Sequence, residues 1–149
     1  MTKQNLACTA VVVAAGTASR MQGIDKMLAP LGGEPLLLRT VRALEASGRI
    51  DAIVIVARND LAEHAKELFE DDERVCEIVP GGATRAESVL RGLRCVKTPL
   101  VAIHDGARPL VTPEVIDAAI AAAERGGAAA PEIPVHDTIK IASDGVVTA

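Results

Sequence analysis

Two cations placed just beyond a buried apolar run are the residues of this chain best suited to chemistry. Val11, Val12 and Val13 run into Ala14-Ala15-Gly16-Thr17-Ala18-Ser19, and this small-residue turn delivers Arg20, with Lys26 shortly after it. A guanidinium holds phosphate oxygens in pairs, whereas a lysine ammonium acts as a mobile point charge. Together they can neutralise charge that builds on a phosphorus under attack, which is most of what phosphoryl-group transfer asks of a protein. Small residues let the backbone approach a ligand closely and turn its N–H groups toward an anion. The stretch reads as a nucleotide-binding loop; the alternative is that Arg20 and Lys26 are solvated loop charges.

Two further stretches carry related chemistry. Gly81-Gly82-Ala83-Thr84-Arg85-Ala86-Glu87-Ser88 is a glycine turn running into a helix. The helix start offers free N–H groups beside Arg85 and Ser88, donors that suit a pyrimidine carbonyl or a phosphate. Thr84 and Glu87 also form a complete capping box, which accounts for those two residues but not for Gly81-Gly82. His104-Asp105-Gly106-Ala107-Arg108-Pro109 sets an acid and an arginine at a strand end. Asp105 there can hold Mg²⁺ bridging phosphate oxygens, or a substrate hydroxyl. A structural Asp105–Arg108 pair is the alternative. His104 reads as a packed strand-end residue, no cysteine or serine nucleophile stands beside it, and His64 and His136 have no metal-ligand spacing with it.

Other nucleotide chemistries lose their footing. The first loop lacks the second glycine of GxGxxG, and no GxxxxGK[ST] occurs, which disfavours dehydrogenase and P-loop NTPase readings.

The elements that must position these loops alternate between strand and helix. Val11–Val13, Ala52–Val56, Val75–Val79 and Leu100–Ile103 are short β-branched runs expected to lie in a parallel sheet. Between them, Glu34-Pro35 opens a helix bearing Leu36, Leu37, Val41 and Leu44. Asp60 is expected to cap a second helix with Leu61, Ala65 and Leu68 on one face. A third, beginning near Thr84, carries Val89, Leu90 and Leu93. Thr112-Pro113-Glu114 starts a fourth, stopped by Gly126-Gly127. Ala128–Ala130 and Thr138–Ile141 are expected strands, with Asp144-Gly145 as a hairpin turn before Val146-Val147. The implied fold is α/β, a mostly parallel sheet with helices on both faces. In such sheets ligands bind outside the carboxyl ends of the strands, and all three loops fall there.

A chain of 149 residues is expected to form a single domain, and its formal charge of −4 gives no global attraction for nucleic acid or an anionic membrane. Attraction for phosphate must be local. Phe69 is the one aromatic, which argues against binding by base stacking. Cys8, Cys76 and Cys95 form no CxxC pair and read as buried, inert thiols in a cytosolic protein.

These residues together resemble the methylerythritol phosphate cytidylyltransferases of the non-mevalonate isoprenoid pathway, within the wider Rossmann-like nucleotidyltransferases. The resemblance runs through Ala14-Ala15-Gly16 with Arg20-Met21 and Lys26, then Pro30-Leu31-Gly32-Gly33-Glu34-Pro35-Leu36, then Gly81-Gly82 with Arg85 and Ser88. It continues through His104-Asp105-Gly106-Ala107-Arg108-Pro109 and Val135-His136-Asp137-Thr138-Ile139-Lys140. It implies that CTP is attacked at its α-phosphorus by the phosphate of 2-C-methyl-D-erythritol 4-phosphate, with Mg²⁺ assisting and pyrophosphate leaving. Arg20 and Lys26 would stabilise the transition state. Ala14, Ala15, Gly16, Gly82, Arg85 and Ser88 would line the CTP site, with Ser88 and nearby backbone reading cytosine. Asp105, Ala107, Arg108 and Thr138 would meet the ribose, the metal or the methylerythritol. Thr138 would act on a partner subunit, through a β-arm that begins near residue 134 and makes a homodimer.

Two departures qualify the resemblance. Asp25-Lys26-Met27 stands where the family commonly has Pro-Lys-Gln, and Gly23-Ile24-Asp25-Lys26 resembles the guanylyltransferases of molybdenum cofactor synthesis. The chain also stops at Ala149, inside the expected arm, and the segment beyond would carry an arginine and a lysine that hold the methylerythritol phosphate. The expectation is a truncated chain that keeps the CTP half of the site and turns over poorly or not at all. A ribitol phosphate cytidylyltransferase and a nucleotide-binding module without chemistry are the remaining alternatives.

Overall fold

The apolar run at the start of the chain forms the first central strand of the fold, β1 (Cys8–Ala14), in a computed structural model that describes residues 6–16, 25–134, 140–144 and 146–147. A two-strand hairpin follows, β2 (Pro30–Leu31) and β3 (Glu34–Pro35), turning through Gly32 and Gly33 at φ 61° and 88°. That turn needs two positive φ values, which glycine adopts without strain. Helix α1 (Leu36–Glu45) starts directly after Pro35, whose fixed φ of −54° suits a helix entry. Then come β4 (Ala52–Ala57), α2 (Asn59–Leu68), β5 (Val75–Pro80), α3 (Arg85–Leu93), β6 (Leu100–Asp105) and α4 (Pro113–Gly126). Thr112 precedes α4 and Gly127 ends it at φ 83°.

The four long strands form one parallel sheet in the order β5-β4-β1-β6. Strand order reverses at β1, which pairs with β4 on one side and β6 on the other. Successive side chains of a strand face opposite ways, and the helices divide accordingly. Ala10, Val12, Ile53 and Ile55 pack with Leu37, Val41 and Leu44 of α1, Leu61 and Ala65 of α2, and Ile116 and Ile120 of α4. Val11, Val54 and Val56 face α3 instead.

Helix α3 approaches the sheet through small residues. Its buried positions are Ser88 and Gly92, whereas Leu90 is 50% exposed. A Cβ on Gly92 would lie 2.4 Å from Val11 Cγ1 and 2.8 Å from Val56 Cγ2, so no larger residue fits at this spacing. β6 is an edge strand that α3 does not cover, and Val101 and Ile103, on the same side as Val11, stand partly in solvent.

Four expectations are corrected. Asp60 does not cap α2: Arg58 occupies that position, and the Asp60 carboxylate, within the first turn, accepts from the Arg58 guanidinium instead. Ala128–Ala130 forms no strand and is exposed, since alanine offers little side-chain area to hold against a sheet edge. Thr138 and Ile139 lie outside the described residues, while Lys140 and Ile141 precede the hairpin instead of forming it. That hairpin is shorter, β7 (Ala142–Ser143) and β8 (Val146–Val147), with Ser143 paired to Val146 and Ala142 to Val147. Finally, Cys8 is buried but Cys76 is exposed, beside a register shift between β4 and β5. Among the described residues, no helix is long and apolar enough to cross a membrane.

Candidate active site

The carboxyl ends of β1, β5 and β6 open into one cavity of about 810 Å³. β1 and the two residues after it contribute Ala14, Ala15 and Gly16 to its wall, and a turn at residues 26–28 contributes Lys26. The segment after β5 supplies Gly82, with Arg85 and Ser88 from α3. β6 and its loop supply Asp105, Ala107 and Arg108. The structure therefore brings together all the expected site residues that it describes. Arg20 and Thr138 lie outside the described residues.

The two glycines that the capping box left unexplained are set by close approach. A Cβ on Gly81 would lie 2.2 Å from the Ala15 Cβ, so this glycine lets the first and second loops touch. A Cβ on Gly82 would lie 2.4 Å from the Glu87 Cβ. The box itself is modified: Thr84 Oγ1 accepts from the Glu87 N–H, but the Glu87 carboxylate accepts from Ala83 N–H, one residue earlier than expected. Ser88 is buried, and its hydroxyl donates to the Thr84 carbonyl and accepts from Gly82 N–H, both at 3.0 Å. Its side chain shapes the loop from beneath.

Asp105 is gripped by two arginines. Arg85 donates to Oδ1 at 2.8 Å, and Arg108 Nε lies 3.0 Å from Oδ2. Burial pushes the Asp105 carboxyl up, but the Arg85 hydrogen bond and the charges of Arg85 and Arg108 outweigh it and hold the group below its ordinary value. The expected Asp105–Arg108 pair is therefore present, and Arg85 joins it across the cavity. Behind them, Gly106 N–H donates to the Val13 carbonyl at 2.9 Å, and buried Thr40 donates to the Gly106 carbonyl at 2.7 Å. These bonds fix the β6 loop against β1 and α1. His104 Nε2 donates to the Arg108 carbonyl at 3.0 Å, which agrees with a packed strand-end residue.

Sequence reasoning missed Arg58. It follows β4, and because Ala57 pairs with Ala14 in the sheet, Arg58 emerges beside the first loop. A signal was present: β4 is a fourth parallel strand, so its carboxyl end opens on the same side. Among the described residues, the charged groups lining the cavity are four cations, Lys26, Arg58, Arg85 and Arg108, and one acid, Asp105. A chain of net charge −4 thus builds a locally cationic cleft at its topological switch point, suited to a polyphosphate. Lys26 is exposed and makes no ion pair among the described residues.

Comparison with known proteins identifies the family of the chain. The family model for 2-C-methyl-D-erythritol 4-phosphate cytidylyltransferase matches residues 8–149. A protein of that name from Dehalococcoides mccartyi (strain CBDB1) is 40% identical over 142 residues, covering 93% of this chain and 63% of its own length. Another, from Geobacter metallireducens, is 37% identical over 153 residues, covering 97% of this chain and 66% of its own. This chain therefore spans a little under two-thirds of the length of these relatives. The crystal structure of 4-diphosphocytidyl-2C-methyl-D-erythritol synthase from Anaerococcus prevotii superposes with a TM-score of 0.78 at 25% identity, over 97% of this chain and 64% of that one. Residue pattern, sheet order and family match agree, and this chain belongs to the 2-C-methyl-D-erythritol 4-phosphate cytidylyltransferase family.

Proposed function

We propose that the cavity binds CTP and serves cytidylyl transfer to 2-C-methyl-D-erythritol 4-phosphate, with release of pyrophosphate. The observation that carries this reading is the convergence of three small-residue or glycine loops and four cations at the switch point of one parallel sheet. In the reaction, an oxygen of the acceptor phosphate attacks the α-phosphorus of CTP as the bond to the bridging oxygen breaks. The negative charge that accumulates on the α-phosphoryl and leaving oxygens is met by Lys26 and by Arg20. The backbone of Ala14, Ala15 and Gly16 lies against the triphosphate, while Gly82, Arg85 and Ser88 shape the opposite wall around the nucleoside. Ala107, Arg108 and Thr138 meet the ribose or the acceptor. The cellular setting of this reading is a cytoplasmic homodimer joined through the segment from about residue 134.

The donor set also fits Mg²⁺. Asp105 is the only carboxylate on the cavity wall among the described residues, and no cluster of three potential ligands occurs there. Mg²⁺ is commonly held by one or two carboxylates together with substrate phosphates, not by a cage made of protein alone. Asp105 would hold it, and the ion would neutralise charge shared between phosphate oxygens. The two arginines on Asp105 keep the carboxylate ionised, each engaging one of its oxygens, so the ion would use a remaining lone pair.

Pyrophosphate release tests this function. With CTP, Mg²⁺ and the acceptor, release is expected to depend on Lys26 and to be faster with methylerythritol phosphate than with ribitol phosphate. CTP binding with no release under any of these conditions would leave the nucleotide site standing and overturn the transfer reading for this chain.

A further inference from the structure

Arg58 adds its charge to the cavity but no step above uses its donors, and it joins three separate parts of the cavity wall. Its Nη1 donates to the Gly16 carbonyl at 2.8 Å, in the first loop. Its Nη2 donates to Asp25 Oδ2 at 2.6 Å, and Nε and Nη2 donate to the two oxygens of Asp60 at 3.0 and 3.2 Å. The Arg58 and Asp25 side chains are only 17% and 22% exposed, so solvent screens this ion pair less than one at the surface.

Asp25 in turn organises the turn that carries Lys26. Its Oδ1 accepts from Met27 N–H at 2.9 Å, and its carbonyl accepts from Leu28 and Ala29 N–H at 3.1 and 3.0 Å. The Met27 carbonyl then accepts from Leu37 N–H in α1. One carboxylate thus bonds the Lys26 turn with one oxygen and Arg58 with the other.

Guanidinium offers five N–H donors, and these contacts occupy four of them. Arg58 therefore lines the cavity with little donor capacity left for a phosphate. We infer that Arg58 is a positioning residue: through Gly16 and Asp25 it fixes the distance between the first loop and the Lys26 turn, and so sets where Lys26 meets the triphosphate. The inference rests on the nucleotide reading for its last step only. A lysine in place of Arg58 would keep the charge but not the planar fork that reaches Gly16, Asp25 and Asp60 together.

The test pairs a ligand-free measurement with a binding one, on wild type, Arg58→Ala and Arg58→Lys, each checked for a native thermal transition. Backbone amide exchange at Met27, Leu28 and Ala29 without nucleotide is expected to quicken by about tenfold or more in both variants, the scale of one lost charge-assisted hydrogen bond. The Kd for CTP with Mg²⁺ is expected to rise by a similar factor in both. Unchanged exchange in Arg58→Ala would overturn the inference, as would full recovery of both readouts in Arg58→Lys, which would leave only a charge effect. Faster exchange with an unchanged Kd would also overturn it. Faster exchange in a protein whose wild type binds no nucleotide would support the link between loop and turn and overturn the nucleotide reading instead.

Discussion

Replacing Gly81 with alanine places a methyl group 2.2 Å from the Ala15 Cβ and 3.2 Å from Ser88 Oγ. Carbon atoms in ordinary contact are about 3.5 Å apart or more, so the two loops must separate by roughly 1.3 Å. Neither neighbour can rotate away. The Ala15 methyl is fixed to its backbone, and Ser88 Oγ is held by the Thr84 carbonyl and Gly82 N–H. Overpacking of this kind costs about 1–3 kcal/mol, offset by about 0.4–1 kcal/mol from the stiffer unfolded chain. A net loss of about 1–2 kcal/mol is expected in urea unfolding. The same displacement opens the cavity between its first and second loops, and a misplacement of about 1 Å can cost a site roughly a hundredfold. Calorimetric titration with CTP and Mg²⁺ should therefore show a weakening of about ten- to a hundredfold. Ala15→Gly in the same chain removes the opposing methyl and leaves the new Cβ 3.5 Å from the Ala15 Cα, which is ordinary contact. The double variant should recover most of both losses. Native stability and CTP affinity in Gly81→Ala, or a double variant no better than the single, would refute the reasoning.

Three further outcomes are expected. Gly92→Ala should destabilise by about 1–3 kcal/mol despite the better helix propensity of alanine, because its methyl meets Val11 and Val56 at the centre of the sheet; a gain in Tm would contradict the packing described. Burial, helped by the charge of Asp51, pushes the Cys8 thiol from 9.0 up to about 11, so its stabilising effect is complete below pH 9 and lost as pH rises toward 11. The loss should amount to about 2–3 kcal/mol, and Cys8→Ala should flatten the difference in urea midpoint between pH 8.5 and 11. Asp105 behaves in the opposite sense: held below its ordinary value of 3.8, it contributes stability above that value and loses it as pH falls through the folded one. Asp105→Asn should thus be less acid-sensitive below about pH 4 than wild type, as read by unfolding midpoints across that range.

Much of this site was legible because each part was announced locally. Val11–Val13, Ala52–Val56 and Leu100–Ile103 are too short and too β-branched for helices and form strands, and a loop rich in small or charged residues follows each site-bearing strand. Parallel topology then puts those loops at one end without any long-range information. What escaped the sequence depends on distance across the fold. Arg58 belongs to the site only because Ala57 pairs with Ala14, and its partner Asp25 lies 33 positions away in the chain. The buried face of α3 is not announced by large apolar residues, because the close approach of β1 and β4 selects Ser88 and Gly92 there. Ala128–Ala130 failed as a strand for the converse reason, an apolar run with too little side chain to pack.

The central claim is that this cationic cleft is a CTP site in which Lys26 meets phosphate. It is tested most directly by titrating CTP and GTP, each with Mg²⁺, into the wild-type chain and Lys26→Ala by calorimetry. No second substrate is required. The account predicts CTP binding well above GTP binding, and a loss of affinity on removal of the Lys26 ammonium. A preference for GTP, or CTP binding indifferent to Lys26, would contradict it.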